Sequence, residues 1–266
     1  MEEHPAERGG KHPLARMFLI GTIASVIGVA AGLAIDWFPT DATSSADSID
    51  TLYYVLVIVS VPIFVLVMTI AIYSVIRFRA RPGDKSDGAP IHGNAKLEVI
   101  WVAVPTIIVS ALAAYGWIVL DDVEAKKDNE LTVDVYAQQF AWRFDYPQRG
   151  GRPVQSEQLI LPKDRPVYFR IHSDDVIHSF WVPEFRLKQD AVPGITTRIR
   201  VTPDKIGNYR VVCTELCGIG HATMRQTVRV VTPAQFDRFL QRERQGGGDD
   251  AGNEPQPEEG AGGPQG

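Results

Sequence analysis

The 266-residue sequence predicts a membrane-anchored α + β protein, with N-terminal transmembrane helices followed by an antiparallel β-sandwich or barrel. Three observations carry this reading. Long apolar runs, Met17 to Phe38, Leu52 to Ile76 and Leu97 to Leu120, occupy the N-terminal part, and each reaches the about 20 residues a helix needs to cross a hydrocarbon core. After Asp121 the apolar residues alternate instead of running together, which is the period of a half-buried strand. The only two cysteines, Cys213 and Cys217, lie in the alternating part, with His221 and Met224 close behind them.

Residues 1–16 read as a cytoplasmic tail, and Lys11 and Arg16 precede the first apolar run, 17–38. That run is a third helix or a signal peptide, with Ser44-Ser45-Ala46 as the candidate cleavage site. It is longer than the roughly 7–15 residues of a signal h-region, which favours a retained helix. Residues 52–78 and 97–120 form the two further transmembrane helices, and Pro62 and Pro105 inside them are kinks that neighbouring helices accommodate. Arg77, Arg79, Arg81, Lys85 and Lys96 cluster around the intervening loop, 79–96, whereas Asp36, at the end of the first run, and Asp41, Asp47 and Asp50 lie ahead of the second. The positive-inside rule then places the loop 79–96 in the cytoplasm and everything after Leu120 outside. Arg81 to Gly88 is a polar linker rich in turn residues.

Residues 125–240 read as one extracytoplasmic β domain. Leu131, Val133 and Val135 alternate with polar residues, as do Val167, Phe169 and Ile171, then Ile199 and Val201, then Val228 and Val230. Turns such as Thr202-Pro203-Asp204 and Lys205-Ile206-Gly207-Asn208 separate them. Pro233 to Leu240 is a short terminal helix. The segment 245–266 holds no Leu, Ile, Val or Phe and cannot build a core, so disorder is expected there. The net charge of -5 comes partly from this tail. No basic stripe interleaved with aromatics occurs, which leaves nucleic-acid binding without support.

Cys213, Cys217, His221 and Met224 form a soft donor set suited to copper rather than to magnesium or calcium. A disulfide is the default for cysteines in an oxidising compartment, but so small a loop gains little from closure. A structural zinc site would take both cysteines and His221 with one more histidine. A single-copper blue site uses one cysteine, and here there are two. Two thiolates could instead bridge two coppers, each with one imidazole and one weak axial donor. The second imidazole would come from His178, at a strand end.

His178-Ser179-Phe180, Lys188-Gln189-Asp190-Ala191-Val192-Pro193-Gly194 and the run Cys213 to Met224 together resemble subunit II of cytochrome c oxidase, in the haem–copper oxidase superfamily. The resemblance extends upstream to Glu98, Trp101 and Pro105 and to the segment Gln139 to Tyr146. It implies a cupredoxin-like domain carrying a binuclear, mixed-valence CuA centre. Cys213 and Cys217 would bridge both coppers, His178 and Met224 would complete one, and His221 with the backbone carbonyl of Glu215 the other. The Glu215 carboxylate would bind magnesium at the interface with subunit I. The implied function is acceptance of electrons from cytochrome c and their transfer to the haem of subunit I, where O2 is reduced to water in aerobic respiration. The implied setting is a proton-translocating cytochrome c oxidase in the bacterial plasma membrane, with subunits I and III and lipid as partners.

The resemblance also assigns Glu98 to the cytoplasmic mouth of a proton pathway into subunit I. As a residue, a carboxylate at a membrane interface is equally a solvated one. In the aromatic strand Phe140-Ala141-Trp142-Arg143-Phe144-Asp145-Tyr146, Trp142 matches the second tryptophan of the family pattern. Phe140 stands where the first, the electron-accepting one, is expected. Packing is the plainer reading of both. Asp174, Asp175, Glu157 and Glu184 are candidate contacts for a basic donor, although residues 121–240 hold 16 Asp/Glu against 17 Lys/Arg. His4, His12, His92 and His172 lack ligand spacing. Two other readings are a quinol-oxidase homologue, which would lack the copper ligands present here, and a membrane-tethered copper chaperone or zinc-stabilised module.

Overall fold

The computed structural model describes residues 14–79, 82–83, 93–148 and 150–245. Most of the predicted N-tail, most of the basic linker, the C-terminal tail and His4, His12 and His92 lie outside the described residues. The chain divides into two compact units, Met1–Trp37 with Asp50–Ile118, and Phe38–Ile49 with Val119–Gly266.

Three helices define the first unit: α1 (Leu14–Ala34), α2 (Ala46–Arg77) and α3 (Ala95–Glu124). All three are long and apolar enough to cross a membrane. Apolar residues cover them on every side, and Phe18, Phe64, Ile76, Ile107 and Trp117 are all more than 60% exposed in the isolated chain. Such a surface needs lipid or other apolar helices around it. α1 and α2 approach through a glycine seam. A Cβ added at Gly28 or Gly32 would come within 2.8 Å of Val61 Cγ1 or Val57 Cγ1, respectively. Small residues at membrane helix contacts allow this approach and the dispersion contacts it brings. α1 ends at Ala34, short of the predicted 38, where Trp37 turns back to donate its indole N–H to the Gly32 carbonyl at 2.7 Å. α3 starts at an Asn94 cap, whose Oδ1 accepts the backbone N–H groups of Lys96 and Leu97 at 3.1 and 3.2 Å.

Among the described residues, the second unit contains ten strands in two five-stranded sheets. The first sheet holds β1 (Leu131–Gln138), β2 (Ala141–Tyr146), β3 (Val154–Ser156), β5 (Val167–Ser173) and β8 (Thr197–Val201) in the order β3-β2-β1-β5-β8. The second holds β4 (Leu159–Pro162), β6 (His178–Trp181), β7 (Lys188–Ala191), β9 (Gly207–Cys213) and β10 (Arg225–Val231) in the order β4-β10-β9-β6-β7. Val133, Val135, Trp142, Phe144, Phe169 and Ile171 of the first sheet share one core with Leu159, Leu161, Phe180, Val211 and Val228 of the second. This is the expected cupredoxin-like sandwich, with one correction. The sheets are not wholly antiparallel, because β1 pairs parallel with β5 and β10 parallel with β4. The chain leaves the first sheet after β3, runs β4 in the second and returns beside β1 in the same direction. Alternation reports which face is buried and is blind to strand direction.

A linker from the other half of the chain completes this unit. Ala42 donates its N–H to the Glu184 carbonyl and accepts from the Asp204 N–H, at 2.9 and 3.1 Å, and Ser44 N–H donates to the Thr202 carbonyl at 3.1 Å. Ala42, Thr43 and Ala46 are buried. Arg186 donates to the Pro39 carbonyl and lies over the Phe38 ring, and Lys205 pairs with Asp41 at 2.6 Å. The candidate cleavage site Ser44-Ser45-Ala46 therefore lies in a hydrogen-bonded strap, and Ala46 opens α2. At the C-terminus, α4 (Pro233–Arg244) begins with a Thr232–Gln235 capping box and runs four residues past the predicted end. Its Phe236 and Phe239 pack against Tyr146.

Candidate metal centre

Strand pairing brings the soft donors together. His178 opens β6, Cys213 closes β9, and the two strands pair antiparallel with Phe180 opposite Cys213. Cys213 N–H donates to the Met224 carbonyl at 3.1 Å, which shuts the loop between β9 and β10. A 3-10 turn at His221–Thr223 then presents His221 and Met224 from the same loop. The Sγ atoms of Cys213 and Cys217 lie 3.8 Å apart, far beyond the about 2.05 Å of a disulfide bond, and both are free thiols. Cys213 Sγ is 3.9 Å from His178 Nδ1 and 3.2 Å from the Glu215 carbonyl. Cys217 Sγ is 3.6 Å from His221 Nδ1 and 3.8 Å from Met224 Sδ. His178, Cys213, Cys217 and Met224 are buried, and His221 is half-buried.

All of the predicted ligand positions thus converge. His178, Cys213 and Cys217 place their donor atoms within 4.8 Å of one another. The donors are two thiols, two imidazoles, one thioether and one backbone carbonyl. A tetrahedral zinc site would use only the thiols and imidazoles and would leave the buried thioether without a purpose. A set this rich in sulfur fits copper.

Asp175 orients His178. Its Oδ1 accepts the Nε2–H of His178 at 2.8 Å, which turns Nδ1 towards the sulfurs. Asp175 also accepts the backbone N–H groups of Gln139 and Val176 at 2.7 and 2.6 Å. Burial pushes its pKa up, but these hydrogen bonds, led by that of His178, hold the carboxyl below its usual range. At Cys217, burial and the neighbouring Cys213 thiol push the thiol up to about 11. A metal must therefore displace a proton there to bind.

The other predicted residues fall in different places. Trp142 is a core residue, 2% exposed, with its ring edge-on to His178 and Phe180 at centroid distances of 6.2 and 5.7 Å. Phe140 is half-buried against the metal loop. The Glu215 side chain is exposed, and only its carbonyl faces Cys213. Glu98 lies in the first turn of α3, in the other unit, and accepts the Asn94 backbone N–H at 3.2 Å. Of the candidate docking acids, Glu157 and Asp174 are exposed, Asp175 is engaged with His178, and Glu184 is half-buried at the strap. Gln139 was not singled out by the sequence, although its side chain donates to the Cys217 carbonyl at 2.6 Å.

Residues 152–231 match the family described as cytochrome C oxidase subunit II, periplasmic domain, and residues 30–119 match its transmembrane domain. Cytochrome c oxidase subunit 2 of Synechocystis sp. is 32% identical, over 84% of this chain and 80% of its own length. The chain belongs to the cytochrome c oxidase subunit II family. The counterpart from Thermostichus vulcanus is 33% identical, over 82% of each chain. Among solved structures, the periplasmic domain of subunit II of cytochrome oxidase of Bradyrhizobium japonicum is 26% identical with a TM-score of 0.43, covering 47% of this chain and 99% of that one. As a member of the subunit II family, this is a membrane protein with a periplasmic domain and a component of an oxidase complex, and its partners are other oxidase subunits.

Proposed function

We propose that this subunit accepts electrons from cytochrome c at a binuclear CuA centre and passes them to the haem of subunit I. The observation that carries this is the convergence of the buried Cys213, Cys217, His178 and Met224 with the half-buried His221 and the Glu215 carbonyl in one cluster. Copper bound there supplies one-electron redox chemistry. Cys213, Cys217, His178, His221, Met224 and the Glu215 carbonyl would together hold the two ions. The sheets fix Cys213, His178 and Met224 through backbone hydrogen bonds. A fixed ligand frame keeps reorganisation small when the redox state changes, which is the protein's contribution to fast electron transfer.

The exposed Glu215 carboxylate would hold magnesium at the subunit I interface. The electron would enter past Phe140, which lies against the metal loop, and Trp142, a core residue of β2 whose ring is edge-on to His178. Glu98 would admit protons from the cytoplasm, and subunit III and lipid would complete the assembly in a bacterial plasma membrane. A quinol-oxidase homologue has no use for a complete soft-donor set, and a membrane-tethered copper chaperone or zinc-stabilised module needs one anchor rather than three membrane helices.

The test is electron paramagnetic resonance of the full chain purified from copper-replete membranes. Hyperfine structure from one electron shared by two coppers is expected. A single-copper spectrum, or tight zinc without a copper signal, overturns the proposal.

A further inference from the structure

The turn between β1 and β2 consists of two residues, Gln139 and Phe140, and both reach the metal-bearing loops of the opposite sheet. Gln139 donates its backbone N–H to Asp175 Oδ2 at 2.7 Å and its side-chain Nε2–H to the Cys217 carbonyl at 2.6 Å. Asp175 in turn accepts from His178 at 2.8 Å. One residue is thus hydrogen-bonded to both halves of the donor set, the His178 side and the Cys217 side. The Phe140 ring lies directly on the loop. A Cβ added at Gly220 would meet Phe140 Cδ2 at 2.5 Å, and one at Gly218 would meet Phe140 Cε1 at 3.1 Å. Gly218 also has φ +138, a backbone conformation that glycine alone adopts readily. His178 and Cys213 are each tied by pairing within the second sheet, His178 to Ala191 and Cys213 to Phe180. Cys217 lies outside the strands and has no such tie among the described residues, and the Gln139 amide supplies its fixed point.

We propose that Gln139 and Phe140 form a latch, a pair of positioning residues that holds Cys217 and its loop in ligand geometry before the metal arrives. The latch belongs to the first sheet, so the spacing of the two thiols is set by the sandwich as a whole and not by the loop alone. This rests on the CuA reading for what the loop binds, but the latch itself is a property of the metal-free chain. Gln139→Leu keeps side-chain bulk and removes the donor. Phe140→Tyr keeps the ring, whereas Gly220→Ala drives a methyl into it and Gly220→Ala with Phe140→Ala removes the clash.

The first measurement is amide hydrogen exchange on the full, metal-free chain. Gln139→Leu is expected to raise exchange at His221, Thr223 and Met224, whose amides donate within the loop, while leaving β1, β9 and β10 protected. Unchanged exchange at His221, Thr223 and Met224 overturns the latch, whatever the metal proves to be. Exchange rising evenly through the sandwich also overturns it, because that marks general destabilisation. The second measurement is copper retention against a chelator. Gln139→Leu and Gly220→Ala are expected to weaken the hold by about tenfold or more, the usual effect of losing a group that orients a ligand. Phe140→Tyr and the Gly220→Ala, Phe140→Ala pair are expected to stay nearer the parent. Equal retention in all variants overturns the proposal. A parent chain without a two-copper spectrum overturns the CuA reading instead and leaves the exchange result to decide the latch.

Discussion

Met224 is the donor whose contribution can be separated from the rest. It is fully buried, and its Sδ lies 3.8 Å from Cys217 Sγ. Leucine nearly conserves its volume, so Met224→Leu should leave the sandwich intact. An axial thioether tunes a copper site more than it holds one. The variant is expected to keep copper and shift the midpoint potential in a redox titration, and complete loss of metal contradicts the assignment. Tyr146 makes the opposite case, a polar group with a purely structural task. Its hydroxyl donates to the Ile160 carbonyl at 3.0 Å and accepts the Ile160 N–H at 2.8 Å, which fastens β2 to β4 across the core. Burial raises its pKa far enough that the phenol stays neutral. Tyr146→Phe strands that N–H in an apolar interior, at a cost of about 1–3 kcal/mol, readable as a lower denaturant midpoint with the spectrum of the metal centre unchanged. Glu98 carries two readings at once, because the carboxylate assigned to proton uptake also helps to cap α3 through Asn94.

At the scale of elements, the first apolar run behaves as a helix with a partner. Gly28 and Gly32 seat Val61 and Val57, and the strap that follows is built into the β domain. A peptidase needs an extended, accessible segment, and Ser44-Ser45-Ala46 is neither free of hydrogen bonds nor free of burial. The expected result is that intact-mass measurement on protein extracted from membranes finds α1 still joined to α2; a mature chain starting between residues 35 and 50 contradicts this. Much of this level was readable from the sequence. The alternating stretches at 131–135, 167–171, 199–201 and 228–230 lie in β1, β5, β8 and β10. β9 was hidden because its first residues, Gly207 and Asn208, carry turn chemistry, and β3 and β4 are too short to show a period. The donor residues were legible because their spacing along the chain is chemical. The Gln139 latch was not, because it joins residues 78 positions apart and acts on the backbone carbonyl of Cys217, which side-chain identity does not mark.

For the molecule as a whole, the strap makes the β domain depend on chain from both sides of α2 and α3. The Asp41–Lys205 pair ties it down, and the hydrogen bond from the Lys205 ammonium holds the Asp41 carboxyl below its usual value. A lowered folded-state pKa stabilises above the unfolded value and loses that contribution as pH falls through the folded one. Chemical denaturation of the parent and of Asp41→Asn should therefore differ at neutral pH and converge in acid below about pH 4. A gap that persists in acid contradicts this origin.

The same strap also fixes an order of events during synthesis. Ala42 leaves the ribosome long before Thr202 and Asp204, its hydrogen-bond partners. At 5–20 residues per second that wait is on the order of ten seconds. Until then the edge that the strap will cover stays open, and the loop to be closed is long enough to make this contact late. The metal loop follows within the next twenty or so residues. Sealing of the domain and completion of its donor set are thus nearly simultaneous, so a metal-delivery factor acting on the nascent chain would meet either an unsealed sandwich without its cysteines or a finished one.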